Sequence, residues 1–185
     1  MIIETASITD LPVVLAMRTE ASEWLAEIGI NQWRQPWPTH EAMVERSAAS
    51  IRAGETWMVR DNEGATAATI TLDTYADPQL WTTRERAEPA MYVHRLIVRR
   101  GWTGLGTRIL NWAAAKAGRQ GNDWIRIDVW TDNKPLHNYY QRNGFEHVRT
   151  LHSDYPSGAL FQRPTKVAPV PGPPTLAEQV QSLTD

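Results

Sequence analysis

The residues with the clearest chemical potential are the glycines of Arg99-Arg100-Gly101-Trp102-Thr103-Gly104-Leu105-Gly106-Thr107. They join an apolar, β-rich run (Tyr92, Val93, Leu96, Ile97, Val98) to a segment whose apolar positions Leu105, Ile109, Trp112 and Ala113 recur at helical spacing. A glycine turn feeding a helix leaves unpaired N–H donors at the positive end of the helix dipole. Gly104 and Gly106 put no side chains in the way. That is chemistry for holding an anion. Residues 89–122 contain no Asp or Glu but carry Arg95, Arg99, Arg100, Arg108, Lys116 and Arg119. Such a basic surround suits a diphosphate or a phosphorylated ribose. The same residues also fit a tight strand-to-helix turn with a solvated basic face.

The elements that must position this joint can be read in order. Residues 2–6 form a first strand, and Asp10 caps a helix carrying Leu11, Val14, Leu15, Leu25 and Ile28, ended by Gly29. Residues 30–38 make an irregular aromatic loop, and Thr39 opens a second helix that stops near Gly54. Residues 55–60 and 65–72 pair as a hairpin about the turn 61–64. The polar stretch 73–89 reads as a long loop over a site. After the central strand, turn and helix, residues 124–130 alternate as a strand. Asn133 and Pro135 start a short helix that Gly144 ends, and residues 145–151 and 159–163 supply the last two strands. Residues 164–174 hold five of the twelve prolines and read as a linker. Thr175-Leu-Ala-Glu178 beyond it starts either a short amphipathic helix or a disordered tail.

Composition narrows the function. With 185 residues, 42% of them hydrophobic, the chain can bury one substantial core. Its net charge of −2 argues against a general nucleic-acid binder. The absence of cysteine removes disulfides, zinc–thiolate sites and a Cys nucleophile, and it fits a reducing cytoplasm, the expected compartment. The N-terminus has no signal-peptide pattern, and no apolar run approaches spanning length, so no membrane role is expected. His137, His147 and His152 lack metal-ligand spacing with carboxylates and read as surface residues; no metal is expected. Asp128 reads as a structural partner of Arg126.

The strand–glycine turn–helix, a following strand, and then Asn133…Tyr140-Gln-Arg-Asn-Gly144-Phe145 together resemble the GNAT superfamily of acyl-CoA-dependent N-acyltransferases. The likeness is strong over residues 92–145, and the order of elements extends it over 2–163. It implies an α+β fold: a mixed, mostly antiparallel twisted sheet of six to seven strands flanked by about four helices. The family's glycine pattern is Arg/Gln-x-x-Gly-x-Gly/Ala. Gly104 and Gly106 match its glycines, but Gly101 stands where Arg or Gln is usual, so Arg99 or Arg100 would supply the missing charge.

The resemblance further implies acetyl-CoA as acyl donor. The backbone of Leu96, Ile97 and Val98 would pair with the pantetheine arm, the residues from Gly101 through Thr103 to Thr107 would hold the diphosphate, and Asn133 would line the cleft. Tyr140 would protonate the departing thiolate, or else pack against Leu136; Tyr139 reads as the core member of the pair. His94 stands where many relatives carry Glu, so it is either the base or a histidine bonded within the sheet. The Val98 N–H is the candidate oxyanion donor.

Trp33, Trp37 and Trp81 are candidate walls for an amine acceptor or caps on the sheet edges, with Glu27, Glu41, Asp73 and Asp77 suited to a cationic acceptor. The expected reaction is acetyl transfer to a small-molecule or peptide primary amine in a ternary complex. The alternatives are a catalytically silent acyl-CoA sensor and, more distantly, a dinucleotide-binding domain. A homodimer stays open.

Overall fold

A computed structural model describes residues 1–166. Seven strands form one sheet: β1 (Ile2–Thr5), β2 (Thr56–Arg60), β3 (Thr66–Asp73), β4 (Ala90–Val98), β5 (Trp124–Val129), β6 (Glu146–Thr150) and β7 (Ala159–Pro164). Their order across the sheet is β1-β2-β3-β4-β5-β7-β6, and every pair is antiparallel except β4–β5. The helices are α1 (Leu11–Glu27), α2 (His40–Arg52), α3 (Thr83–Arg86), α4 (Leu105–Arg119) and α5 (Lys134–Arg142).

Most expected elements stand where the pattern put them. Thr39 caps α2 by accepting from the Ala42 N–H at 3.2 Å, and Gly29 and Gly54 take positive φ just past α1 and α2. Asp10 behaves differently. Its carboxylate accepts from the Ser7 N–H and from Arg60, closing a short 3₁₀ turn (Ile8–Asp10) ahead of α1. The stretch 73–89 also contains α3, whose Thr82 and Glu85 form a reciprocal capping box. Pro164 completes β7, and Thr165 and Lys166 bond back to Asp123, so the fold continues past 163. The expectations for the rest of the proline-rich stretch and for the residues beyond it, a short helix or a disordered tail, lie outside the described residues.

Two-residue alternation divides the sheet into two faces. Trp57 and Val59 of β2 turn toward the main core, with Ile109, Leu110 and Ala113 of α4, while Met58 meets Val14 and Ile51 of α1 and α2. Met91, Val93, Ile125, Ile127 and Val129 share the α4 side. Tyr92 of β4 and Leu160 of β7 pack with Trp81 instead. Arg126, completely buried, bonds Glu88, the Glu85 carbonyl, Tyr92 and Gln162.

Two irregularities open the sheet. The β4–β5 ladder pairs only Ala90–Tyr92 with Trp124–Arg126, after which the strands part. Between Thr71↔His94 and Thr69↔Ile97, Arg95 and Leu96 stand against Ile70 alone, a β-bulge with Arg95 at φ 49°. A left-handed non-glycine residue is strained by about 1–2 kcal/mol. Hydrogen bonds from the Arg95 guanidinium to Ser50 Oγ (2.7 Å) and Thr71 Oγ1 (3.2 Å) hold it there.

The Glu85–Arg149 pair ties α3 to β6 with bonds of 2.6 and 2.7 Å. These bonds, aided by the Thr82 cap and opposed by burial, hold Glu85 down at about 2 against an ordinary 4.5. A depressed carboxylate stabilises the fold above its unfolded value and loses that contribution as pH falls through the folded one. Urea unfolding between pH 5 and 2.5 is therefore expected to lose stability across this window, with Arg149→Ala showing a shallower slope.

Candidate active site

Two cavities meet where β4 and β5 part. The first, about 430 Å³, is lined by His94, Asp73, Asp128, Tyr140, Trp33 and Trp37 among others. The second, about 570 Å³, runs between α1, the end of β4 and the start of α5, along Trp24, Ile28, Leu96–Arg100, Asn133 and Tyr139. Gln32, Trp33, Leu96 and Leu136 line both, so the two form one bent cleft.

His94 sits at the floor of the first cavity, its side chain about one-quarter exposed (26%). Nε2 is 3.3 Å from Asp73 Oδ2 and Nδ1 is 3.6 Å from Asp128 Oδ1. Asp128 also accepts from the Tyr155 hydroxyl at 2.7 Å. Burial pulls the imidazole down, but the Asp73 hydrogen bond and the charges of Asp128 and Asp73 outweigh it, lifting His94 above 6.5. The constellation follows from alternation. Thr71 and Asp73, Tyr92 and His94, and Arg126 and Asp128 occupy matching positions on three neighbouring strands, with Asp73↔Tyr92↔Arg126 in register. The expected Arg126–Asp128 pair is absent, because each side chain finds a different partner on that face.

Tyr140 is 4% exposed, packed edge-on against Tyr139 and Phe145, and lines the first cavity. Burial, with Tyr139 and Asp128 nearby, pushes its hydroxyl well above the ordinary tyrosine value, so it stays protonated at neutral pH. Tyr139 is not merely a core residue. It lines the second cavity, and its hydroxyl bonds the Thr107 side chain at the start of α4.

The glycine joint is built for backbone shape. Gly101 (φ 90°) and Gly104 (φ 77°), the latter capping α4, take conformations that side chains disfavour. Gly106 is different: a Cβ there would lie 2.3 Å from the Tyr139 hydroxyl. What a side chain would block is Tyr139, not only a ligand. Leu105 N–H bonds Trp102 O and Arg108 N–H bonds Gly104 O, whereas the amides of Gly106 and Thr107 have no backbone acceptor among the described residues. Thr103 lies in the turn just before them. Arg100 is exposed at the cavity rim. Arg99 is held by Glu20 at 2.9 and 3.0 Å and by the Thr66 carbonyl. Gly106→Ala is expected to cost about 1–3 kcal/mol, the usual range for overpacking. Adding Tyr139→Phe should recover part of it, read by urea unfolding as a double-mutant cycle.

The bond from Arg99 N to Ala67 O fixes the alternation of the β3–β4 ladder. Val98 N–H and C=O therefore turn away from β3, toward the gap. Asn133 caps α5 by accepting from Leu136 N–H (3.0 Å) and donates to Gln32 Oε1 (2.7 Å), clamping the aromatic loop over the junction.

Trp33 and Trp37 are partly exposed loop residues on the first cavity, Trp37 edge-on to Tyr155. Trp81 also lines it but is a buried residue (2%), packed on Tyr92 and beneath the Arg126 guanidinium. Asp73 and Asp77 face this cavity, while Glu27 and Glu41 are exposed outside it. His137 is buried rather than superficial, bonding the Trp130 carbonyl at 2.8 Å and packing on Phe161. Missed from the sequence were Arg18, Arg46 and Tyr155, which also line the first cavity. Long-range folding of α1, α2 and the 151–158 connection brings them there, and no local pattern marks them. Among the described residues no His, Asp and Glu cluster could hold a metal ion, and no helix is long and apolar enough to cross a membrane.

A splayed β4–β5 pair, a bulge beside the gap and a glycine-led helix after β4 thus frame one cleft in a mixed, mostly antiparallel sheet. Residues 19–145 match the acetyltransferase (GNAT) family, and the chain belongs to that family. It is 29% identical over 150 residues to a Bacillus subtilis (strain 168) protein named uncharacterized N-acetyltransferase YesJ, covering 79% of this chain and 82% of the relative. A GNAT-family acetyltransferase from Listeria monocytogenes 4b F2365 superposes with a TM-score of 0.71 at 23% identity, covering 88% of this chain and 94% of the other. PaiA N-acetyltransferase from Thermoplasma acidophilum, solved in complex with coenzyme A, superposes with a TM-score of 0.66 at 17% identity, covering 88% and 98%.

Proposed function

We propose that this acyltransferase moves an acetyl group from acetyl-CoA to a primary amine by direct attack in a ternary complex. The observation that carries the reading is the bent cleft, with His94, Asp73 and Asp128 on one arm and, on the other, β4 from Leu96 to Val98 and Tyr139, whose hydroxyl bonds Thr107 at the start of α4. The Thermoplasma relative's complex with coenzyme A supports the choice of donor. When bound, acetyl-CoA supplies a thioester carbonyl as the electrophile.

The Val98 C=O that faces the gap would pair with the donor's pantetheine arm, and the Gly106 and Thr107 amides with Arg100 would take its diphosphate. His94, neutral once its raised pKa is passed, takes a proton from the amine as nitrogen bonds to the carbonyl carbon. Val98 N–H meets the oxygen on which negative charge develops. Tyr140 offers its O–H to the sulfur as the C–S bond breaks. The proton held by His94 returns the tyrosine to its neutral form, so amine and thioester become amide and thiol with no net proton change. No covalent enzyme intermediate is needed, in keeping with the absence of cysteine.

The test is a coenzyme A release assay on a broad amine panel, with acetyl-CoA binding measured by calorimetry. Acetylated amine in the product, identified by mass, supports the reading. Acetyl-CoA binding without turnover of any amine would sink it and favour a sensor.

A further inference from the structure

The first cavity is lined by both acidic and basic side chains. Asp73 and Asp128 flank His94, and Asp77 also lines the cavity. Arg18 of α1, Arg46 of α2 and Arg95 of the bulge line it too, Arg95 close enough to Asp73 and Asp128 to feel their charge. Among the described residues none of these three has a carboxylate at salt-bridge distance, whereas Arg60, Arg99, Arg126 and Arg149 each do. Their contacts are neutral. Arg18 lies 5.7 Å from the centre of the Trp33 ring. Arg46 lies 5.9 Å from that of Trp37 and donates to the Trp37 carbonyl at 2.7 Å. Arg95 bonds two hydroxyls.

Holding Arg18 and Arg46 close together with no carboxylate bonded to either is unfavourable. Burial first, then the charge of Arg46, pushes the Arg18 guanidinium below its ordinary value. None of the three lines the second cavity, so the donor's phosphates do not account for them. An anion entering the first cavity would relieve that repulsion, and a guanidinium fork matches an oxyanion in bidentate fashion.

We propose that the acceptor is an amine that also bears an oxyanion group, a free amino acid or its phosphonate analogue. Its ammonium meets the Asp73–His94–Asp128 side and its anion meets Arg18 and Arg46. The body between them rests on Trp33, Trp37 and Tyr155. This inference rests on the acetyl-transfer reading and narrows it. A peptide N-terminus lacks the adjacent anion and is a poorer fit.

The experiment compares kcat/KM, at saturating acetyl-CoA, for matched triplets: free L-amino acids, their 1-aminophosphonate analogues, and the corresponding amines lacking the anion. An anion-bearing member is expected to exceed its plain amine by at least about 100-fold, since the plain amine leaves the half-buried Arg18 guanidinium and its neighbour Arg46 without an anion. A lead in the carboxylate or the phosphonate arm supports the proposal and identifies the anion. Arg18→Gln and Arg46→Gln should each raise KM for the preferred acceptor by about tenfold or more, with kcat and acetyl-CoA affinity little changed. Arg34→Gln, an exposed residue of the same loop outside the cavity, serves as the control and should change neither. Plain amines acetylated as fast as their anion-bearing partners would overturn this proposal while leaving acetyl transfer intact. Acetyl-CoA binding with no product in any arm would remove both.

Discussion

Tyr140→Phe is expected to lower kcat by about 100-fold or more, within the range that a positioned acid contributes, while acetyl-CoA affinity changes less than twofold. The asymmetry has a structural basis. The phenol ring is packed against Tyr139, Phe145 and Phe161, and phenylalanine would fill that space. Only the hydroxyl of this cavity-lining residue is removed. Steady-state rates with an acceptor from the panel, together with calorimetry for the donor, separate the two effects. Equal turnover in wild type and variant would exclude Tyr140 as the acid. Tyr139→Phe provides the contrast: its hydroxyl serves Thr107 at the start of α4, so its loss should weaken donor binding more than kcat.

The second large effect concerns His94. His94→Gln is expected to reduce kcat/KM about 100-fold, the scale of general-base catalysis, and to abolish the pH limb expected of the wild type. The sign follows from the imidazole's surroundings. Despite burial, Asp73 and Asp128 raise its pKa above 6.5, and only the neutral ring can accept a proton. Wild-type kcat/KM should therefore climb as pH rises through a midpoint above 6.5. Asp73→Asn removes the nearer carboxylate and should move that midpoint down. Stability runs the opposite way. A raised histidine stabilises the fold fully below 6.5 and loses that contribution as pH passes the folded value. Mildly alkaline conditions should thus favour turnover at a small expense in unfolding free energy. A flat kcat/KM profile from pH 6 to 9 would leave His94 as a structural member of the sheet.

Much of the fold was legible because it rests on short-range physics. The helix at 105–119, the strand at 124–129 and the Asn133 cap each follow from periodicity or capping chemistry within a few residues. The glycine joint and the Tyr140-to-Phe145 spacing carried the family, and the acetyltransferase match over residues 19–145 agrees with that reading. α3 was missed because it is a single turn that its Thr82–Glu85 box stabilises without an apolar stripe.

The sequence alone determined the order of elements, the family, and the availability of a histidine, a phenol and a glycine-led helix. Only the tertiary structure decided which polar groups share a cavity. Asp128 left its neighbour Arg126 for His94, Gly106 makes room for Tyr139, and arginines from two separate helices line one cavity without a carboxylate at salt-bridge distance among the described residues. The reason is one of range: alternation and capping act over a few residues, whereas cross-strand register and helix packing set charges together over separations such as the 45 residues between Arg95 and Ser50.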